Sequence, residues 1–287
     1  MNNITKLGLG IVAFEGTEHI KNITTELRDD CDYIVVCLQE KSYMGDVISD
    51  EDVEECERLL DKGLIDEILW FEFDENYLNK AHTPTDIQEF PRRIETDKRN
   101  FILNHLEKCG CSHALVIDSD EYYNKEEFHR AKVEIDKGSA NIVTYCQYVN
   151  YWRDYQHYLI WPFKTYVPFI SPIRYRFEFK CGCFQFAADL TRVYKLERGD
   201  QYNILNWNTV HMNHLSWIRK DIRKKIQSWS SGKYFDPKFL QTVYTKYKTW
   251  KDYENAFVMF GTPKGKVCVE KLKKQYIHPK YRLDEKI

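Results

Sequence analysis

Asp118, Asp120 and Glu121 place three carboxylates within four residues, directly after the apolar run Ala114-Leu115-Val116-Ile117. The run reads as a buried strand, and like charges crowded at its end repel unless a cation stands among them. Hard oxygen ligands of this kind suit Mg²⁺ or Mn²⁺, which bind through one or two carboxylates, waters and the oxygens of a substrate phosphate. The carboxyl edge of an open α/β sheet is also where such folds place their ligands. The competing reading is an acidic turn before a helix, with Asp120 or Asn124 as N-cap.

That edge has to be built by the elements around it. Residues 7–14 read as a first buried strand, 18–28 as a helix, 32–39 as a second strand, 50–62 as a charged helix and 67–73 as a third strand. This β-α-β-α-β order predicts a parallel sheet with right-handed crossovers. Gly8-x-Gly10 lies inside the first strand and lacks the further glycine of a dinucleotide fingerprint, which excludes that reading. Residues 76–93, with Pro84 and Pro91, read as a loop, and residues 94–108 as a helix bearing Lys98, Arg99 and Asn100. After Tyr123 the pattern predicts a short helix, a strand over 140–149, an aromatic stretch over 151–171, and strand-like segments at 175–180 and 183–187. His211 and His214 precede Trp217, where a basic helix is expected to run to about Trp229. With no repeat and no convincing linker, residues 1–230 read as one α/β domain. Residues 231–287 read as a basic, aromatic, helical extension packed on it.

The 287 residues carry a net charge of −2, unevenly spread: from Leu215 onward 18 Lys and Arg face 7 Asp and Glu. A basic C-terminal part beside an acidic remainder suggests a face for a polyanion, or a solvated helical surface. Aromatics make up 15% of the chain, including 20 Tyr and 7 Trp, enough to supply surfaces that stack on sugar rings or bases as well as an ordinary core. The nine cysteines do not suggest a disulfide framework, because Cys109-Gly-Cys111 and Cys181-Gly-Cys183 lack zinc-ribbon spacing and most others lie in apolar runs. The expected setting is a reducing cytoplasm, with no transmembrane segment.

The order of these parts resembles a GT-A glycosyltransferase, nearest the broad family-2-like group. The resemblance rests on the N-terminal strand-turn-helix, the helix with Lys98-Arg99-Asn100, the strand ending in Asp118-Ser119-Asp120-Glu121, and the late His214-Leu-Ser-Trp217 before Arg219, Arg223, Lys224 and Lys225. It covers about residues 7–225 and implies a Rossmann-like mixed sheet flanked by helices. It also implies a nucleoside-diphosphate sugar donor, UDP-sugar foremost, bridged to protein by Mn²⁺ or Mg²⁺. On this resemblance Asp120 ligates the metal, Asp118 faces the metal or the ribose, and His214 is the third ligand with His211 as its rival. Phe14, Glu15, Gly16, Gln39, Asp118 and Ser119 fall among the donor contacts, with Lys98 and Arg99 on the diphosphate. Gln39 departs from the Asp more usual there. Glu178 and Asp189 are the candidates for the acceptor-side base, with Asp154 a third.

The resemblance leaves the acceptor open. A saccharide hydroxyl is the conventional one, met by the aromatic stretch over 151–166. Lys and Arg interleaved with Tyr and Trp in the C-terminal part suit modified bases of phage DNA instead. Further alternatives are a nucleic-acid-binding module without chemistry and a metal-dependent nucleotidyltransferase.

Overall fold

In a computed structural model, the described residues are 3–14, 16–42, 45–72, 84–160, 165–179, 187–189, 191–228, 237–251, 256–258 and 268–274. Four parallel strands form the first sheet: β1 (Leu7–Ala13), β2 (Tyr33–Gln39), β3 (Glu67–Phe71) and β4 (His113–Asp118), in the order β3-β2-β1-β4. The chain runs outward from β1 to β2 and β3, then crosses back to place β4 on the other side of β1. A crevice therefore opens at the carboxyl ends of β1 and β4, where Val12 lies in register with Asp118. A short antiparallel strand, β9 (Ser171–Pro172), closes the far edge against β4.

Strand alternation sorts the side chains of β1 onto two layers. Leu7, Leu9, Ile11 and Ala13 pack with helices α1 (Ile20–Leu27) and α4 (Lys125–Gly138). The opposite face of β1 meets Ile102, Leu103 and Leu106 of helix α3 (Pro84–Lys108). Gly8 and Gly10 lie on this second face. A Cβ at Gly10 would stand 2.2 Å from Ile102 Cγ2, and one at Gly8 would stand 2.9 Å from Leu106 Cδ2. These glycines let α3 settle directly onto the strand, which carries Lys98 and Arg99 down to the sheet's carboxyl edge.

A second, mixed sheet is built around β6 (Val143–Trp152). Strand β12 (His211–Trp217) runs parallel to β6 and antiparallel to the two-residue β5 (Glu121–Tyr122), tying the segment after β4 to a part of the chain some ninety residues later. The molecule is thus α/β, with mixed sheets flanked by helices in a Rossmann-compatible arrangement. No helix among the described residues is long and apolar enough to cross a membrane.

Several boundaries differ from expectation. Helix α3 begins at Pro84, so part of the expected loop is helical, with Pro84 at the helix start where a missing N–H costs nothing. The segment with both histidines is a strand, and the basic helix α5 covers only Ile222–Ser228. The helix after Tyr123 is a full 14 residues, capped by Asn124, whose side chain accepts from Glu127 N at 3.1 Å. Residues 175–179 are not a named strand and only Phe177 forms a bridge, to Tyr194. The expected strand at 183–187 lies largely outside the described residues. The C-terminal part is not purely helical. Helix α6 (Pro237–Thr249) is followed by strands Ala256–Val258 and Cys268–Lys274, the latter extending the second sheet through residues 154–160.

Because α3 is held by a close approach to β1, Gly10→Ala is expected to cost about 1–3 kcal/mol through overpacking, measured as a lower urea midpoint. An unchanged midpoint would show that Ile102 can yield.

Candidate functional site

Beyond Asp118 the chain is pinned from two sides. Ser119 N donates to Val12 O at 2.9 Å, and Asp120 O accepts from Leu215 N at 2.7 Å. The strand pairing then sets His214 opposite both Glu121 and Asn150. Since Asn124 caps α4, the acidic triplet is left for other work.

That work lies in a cleft of about 860 Å³ at the crevice between β1 and β4. Phe14, Gly16, Gln39, Lys98, Arg99, Asp118, Ser119, Asp120, Asp189 and His214 all line it. Of the other expected residues, Glu15 lies outside the described residues, Glu178 is absent from the lining, and His211 sits apart. His211 stacks on Trp207 at 4.1 Å between centroids and faces Glu127 at 3.4 Å.

The carboxylates are met by the protein's own cations. Arg99 Nη2 lies 2.8 Å from Asp118 Oδ1, and Arg192 grips Glu121 through two contacts of 2.5 Å. Asp120 Oδ2 lies 2.6 Å from Arg219 Nη2 and 3.6 Å from Lys225 Nζ. Burial alone would push the Asp120 carboxyl up, but the charges of Arg219, His214 and Lys225 overcome it and hold the group well below the usual carboxylate range. Arg219 reaches Asp120 only because residue 16 is glycine. Gly16 adopts φ +79°, and a Cβ there would stand 1.2 Å from Arg219 Nη1.

Lys98 and Arg99 are each only 2% exposed, which removes the solvated-face reading of that helix segment. Lys98 Nζ donates to Gln39 Oε1 at 2.8 Å and to Glu95 Oε1 at 3.2 Å, so Gln39 is bound to the helix it faces. Arg99 Nε and Nη1 have no hydrogen-bond partner among the described residues, leaving buried donors beside the cleft.

One contact has the chemistry of a cation site. His214 Nδ1 lies 2.5 Å from Asn150 Oδ1, an arrangement in which the ring donates there and turns Nε2 toward Asp120 Oδ1, 3.4 Å away. Nε2 then faces a carboxylate oxygen at a separation that suits a hydrogen bond between the two groups or a cation shared by both. Since Arg219 and Lys225 hold Oδ2, Oδ1 is left for that role. Asp118 stands with the arginines instead, its Oδ1 bonded to Arg99 and its Oδ2 3.8 Å from Arg192. Asp120 and His214 are therefore the protein donors that fit Mn²⁺ or Mg²⁺, and such ions complete their shells with waters and phosphate oxygens.

Asp189 lines the cleft but is fully engaged, accepting from Thr191 N and Oγ1 at 2.9 Å and from Arg192 Nε at 3.1 Å. Burial would raise its carboxyl, but Arg192 and the Thr191 bonds hold it far below the usual range. A carboxylate so stabilised is a poor proton acceptor at neutral pH. Arg192 is the residue that sequence reasoning missed: in Asp189-Leu-Thr-Arg192 nothing marks it apart from a surface loop arginine. Asn150 was missed for a similar reason, since only strand pairing reveals its partner.

Compared with known proteins, the chain matches no family model and no curated protein. The chemistry has to be read from the cleft itself.

Arg219→Ala would leave buried Asp120 without its nearest counter-charge. The expected cost is about 3 kcal/mol in urea unfolding without metal, part of it recovered by millimolar Mn²⁺. No loss of stability would show that Lys225 and His214 suffice.

Proposed function

We propose that the protein is a metal-dependent glycosyltransferase that moves a sugar from a nucleoside-diphosphate sugar to a saccharide hydroxyl. The observation that carries this reading is Asp120 Oδ1 facing His214 Nε2 at 3.4 Å, in a cleft at the switch point of a parallel sheet. The charge of the lining supports it. Among the described residues eight Lys and Arg face nine Asp and Glu, so the cleft alone offers no net positive field for a diphosphate. A divalent cation on Asp120 and His214 would supply the missing charge and act as a Lewis acid toward the leaving diphosphate.

The chain's own groups divide the remaining work. Arg99, with donors unspent, and Lys98 beside it suit the diphosphate oxygens on the α3 side. Arg219 and Lys225, held beside Asp120, would offset the negative charge that grows on those oxygens as the glycosidic bond breaks. Phe14 and Gly16 end β1 beside the place a base and ribose would occupy, with Gln39 at the end of β2. Asp189 fits an anchoring role for Arg192 better than that of a base, given its four-way engagement.

The acceptor reading favours a saccharide because of what the aromatic residues do. Tyr247 is buried with Trp152, Ile222 and Ile226, and its hydroxyl donates to Trp217 O at 2.7 Å. Trp250 packs on His157 and lies beneath Arg153. The interleaved Lys, Tyr and Trp of this segment thus serve largely as core on one face and solvated charge on the other, a poor platform for stacking bases. Trp152 and Tyr151 are buried as well, whereas Tyr148 is half-buried with its ring edge-on to His214 at 6.1 Å. Trp161 and Phe163 lie outside the described residues.

Thermal shift with UDP, GDP and CDP, with and without Mn²⁺, tests the donor. One nucleotide should stabilise the protein only when metal is present, and Asp120→Asn should abolish that gain. His214→Ala should weaken the metal effect by about 10-fold or more, and His211→Ala should leave it intact. Equal nucleotide stabilisation without metal would remove the metal from the account. Mass spectrometry of a donor and acceptor screen, with glycans and hydroxymethylated DNA as separate arms, identifies the acceptor.

A further inference from the structure

A second group of side chains that could ligate a metal lies at the β3 edge of the first sheet, sharing no residue with the cleft. Glu67 opens β3, His105 lies in the last turn of α3, and Cys109 follows one residue beyond that helix. Among the described residues this is the group of three or more His, Cys, Asp and Glu side chains whose donor atoms converge, all within 4.8 Å of one another. His105 Nε2 lies 2.7 Å from Glu67 Oε2 and 3.5 Å from Cys109 Sγ. The spacing follows from the backbone: Cys109 N still bonds to His105 O at 3.0 Å, so the two side chains share one face a helical turn apart.

We propose that Glu67, His105 and Cys109 form a zinc site that clips the end of α3 to strand β3. A thiolate, an imidazole and a carboxylate form a mixed donor set that suits Zn²⁺ rather than Mg²⁺ or Ca²⁺, with a water in the fourth position. The group is reachable from solvent, with the His105 and Glu67 side chains 24% and 39% exposed. It also has outer support. Tyr33 Oη donates to Glu67 Oε2 at 3.0 Å, which orients the carboxylate, and Lys6 Nζ donates to Cys109 O at 2.8 Å, which fixes the turn. Binding takes the Cys109 thiol proton into solvent as the sulfur–zinc bond forms, so affinity falls as pH falls. The ion ties the edge strand to the same helix that carries Lys98 and Arg99 into the cleft. Its effect is to hold α3, with no part in the chemistry there.

Titration of the metal-free full chain with Zn²⁺, and with Co²⁺ as a spectroscopic substitute, tests the site. The expected result is one tight equivalent, a higher melting temperature, and a thiolate-to-cobalt charge-transfer band. Cys109→Ser and His105→Ala should each weaken binding by about 100-fold or more, and Asp120→Asn should leave it unchanged. His105→Ala keeps all nine cysteines and lies on a half-exposed turn, so it decides the matter if Cys109→Ser fails to fold. Binding that survives both variants, a cobalt spectrum without the thiolate band, or no zinc binding to the wild type overturns the proposal.

Discussion

A carboxylate that is 4% exposed at the end of a buried strand has to be offset by positive charge, and Asp120 sets that demand for the whole molecule. Arg219, Lys225 and His214 come from a region about a hundred residues further along the chain. They arrive because β12 is laid between β5 and β6, and because Gly16 leaves room for the Arg219 guanidinium. Arg99 and Arg192 answer the same demand for Asp118 and Glu121. The fold brings four distant segments to one charged edge.

Much of this was legible in the chain. The continuous apolar runs of β1, β2 and β4 have the composition of strands covered on both faces, and the parallel order followed from the helices between them. Asp118, Asp120, Lys98, Arg99 and His214 all line the cleft at the expected edge, whereas His211 does not. Other parts were hidden for physical reasons. Alternating residues in His211–Trp217 carry no clear period because the strand is buried on parts of both faces, so a following helix seemed to start early. Arg192 looks like any loop arginine until its three acidic partners are in place. Tyr247 and Trp250 read as a stacking surface because sequence alone does not reveal which face of α6 meets Trp152.

The two proposed metal sites differ in ways their chemistry explains. Asp120 and His214 offer few protein donors in a roomy, charged cleft, the arrangement expected where a substrate completes the shell. Glu67, His105 and Cys109 offer three donors of differing softness at a solvent-reachable sheet edge, away from the cleft, a set that suits a softer ion with water as its fourth ligand. Helix α3 links them, with the proposed clip at its end and the cleft cations nearer its middle. Holding one end firmly limits how far Lys98 and Arg99 can stray.

The central claim is that one divalent ion touches both His214 and a nucleotide's diphosphate. Electron spin echo spectroscopy of Mn²⁺ bound to the protein with UDP tests it directly. The account predicts coupling of the same ion to an imidazole nitrogen, lost in His214→Ala, and to phosphorus. A spectrum of Mn²⁺ coupled to phosphorus alone, or to water alone, would contradict it.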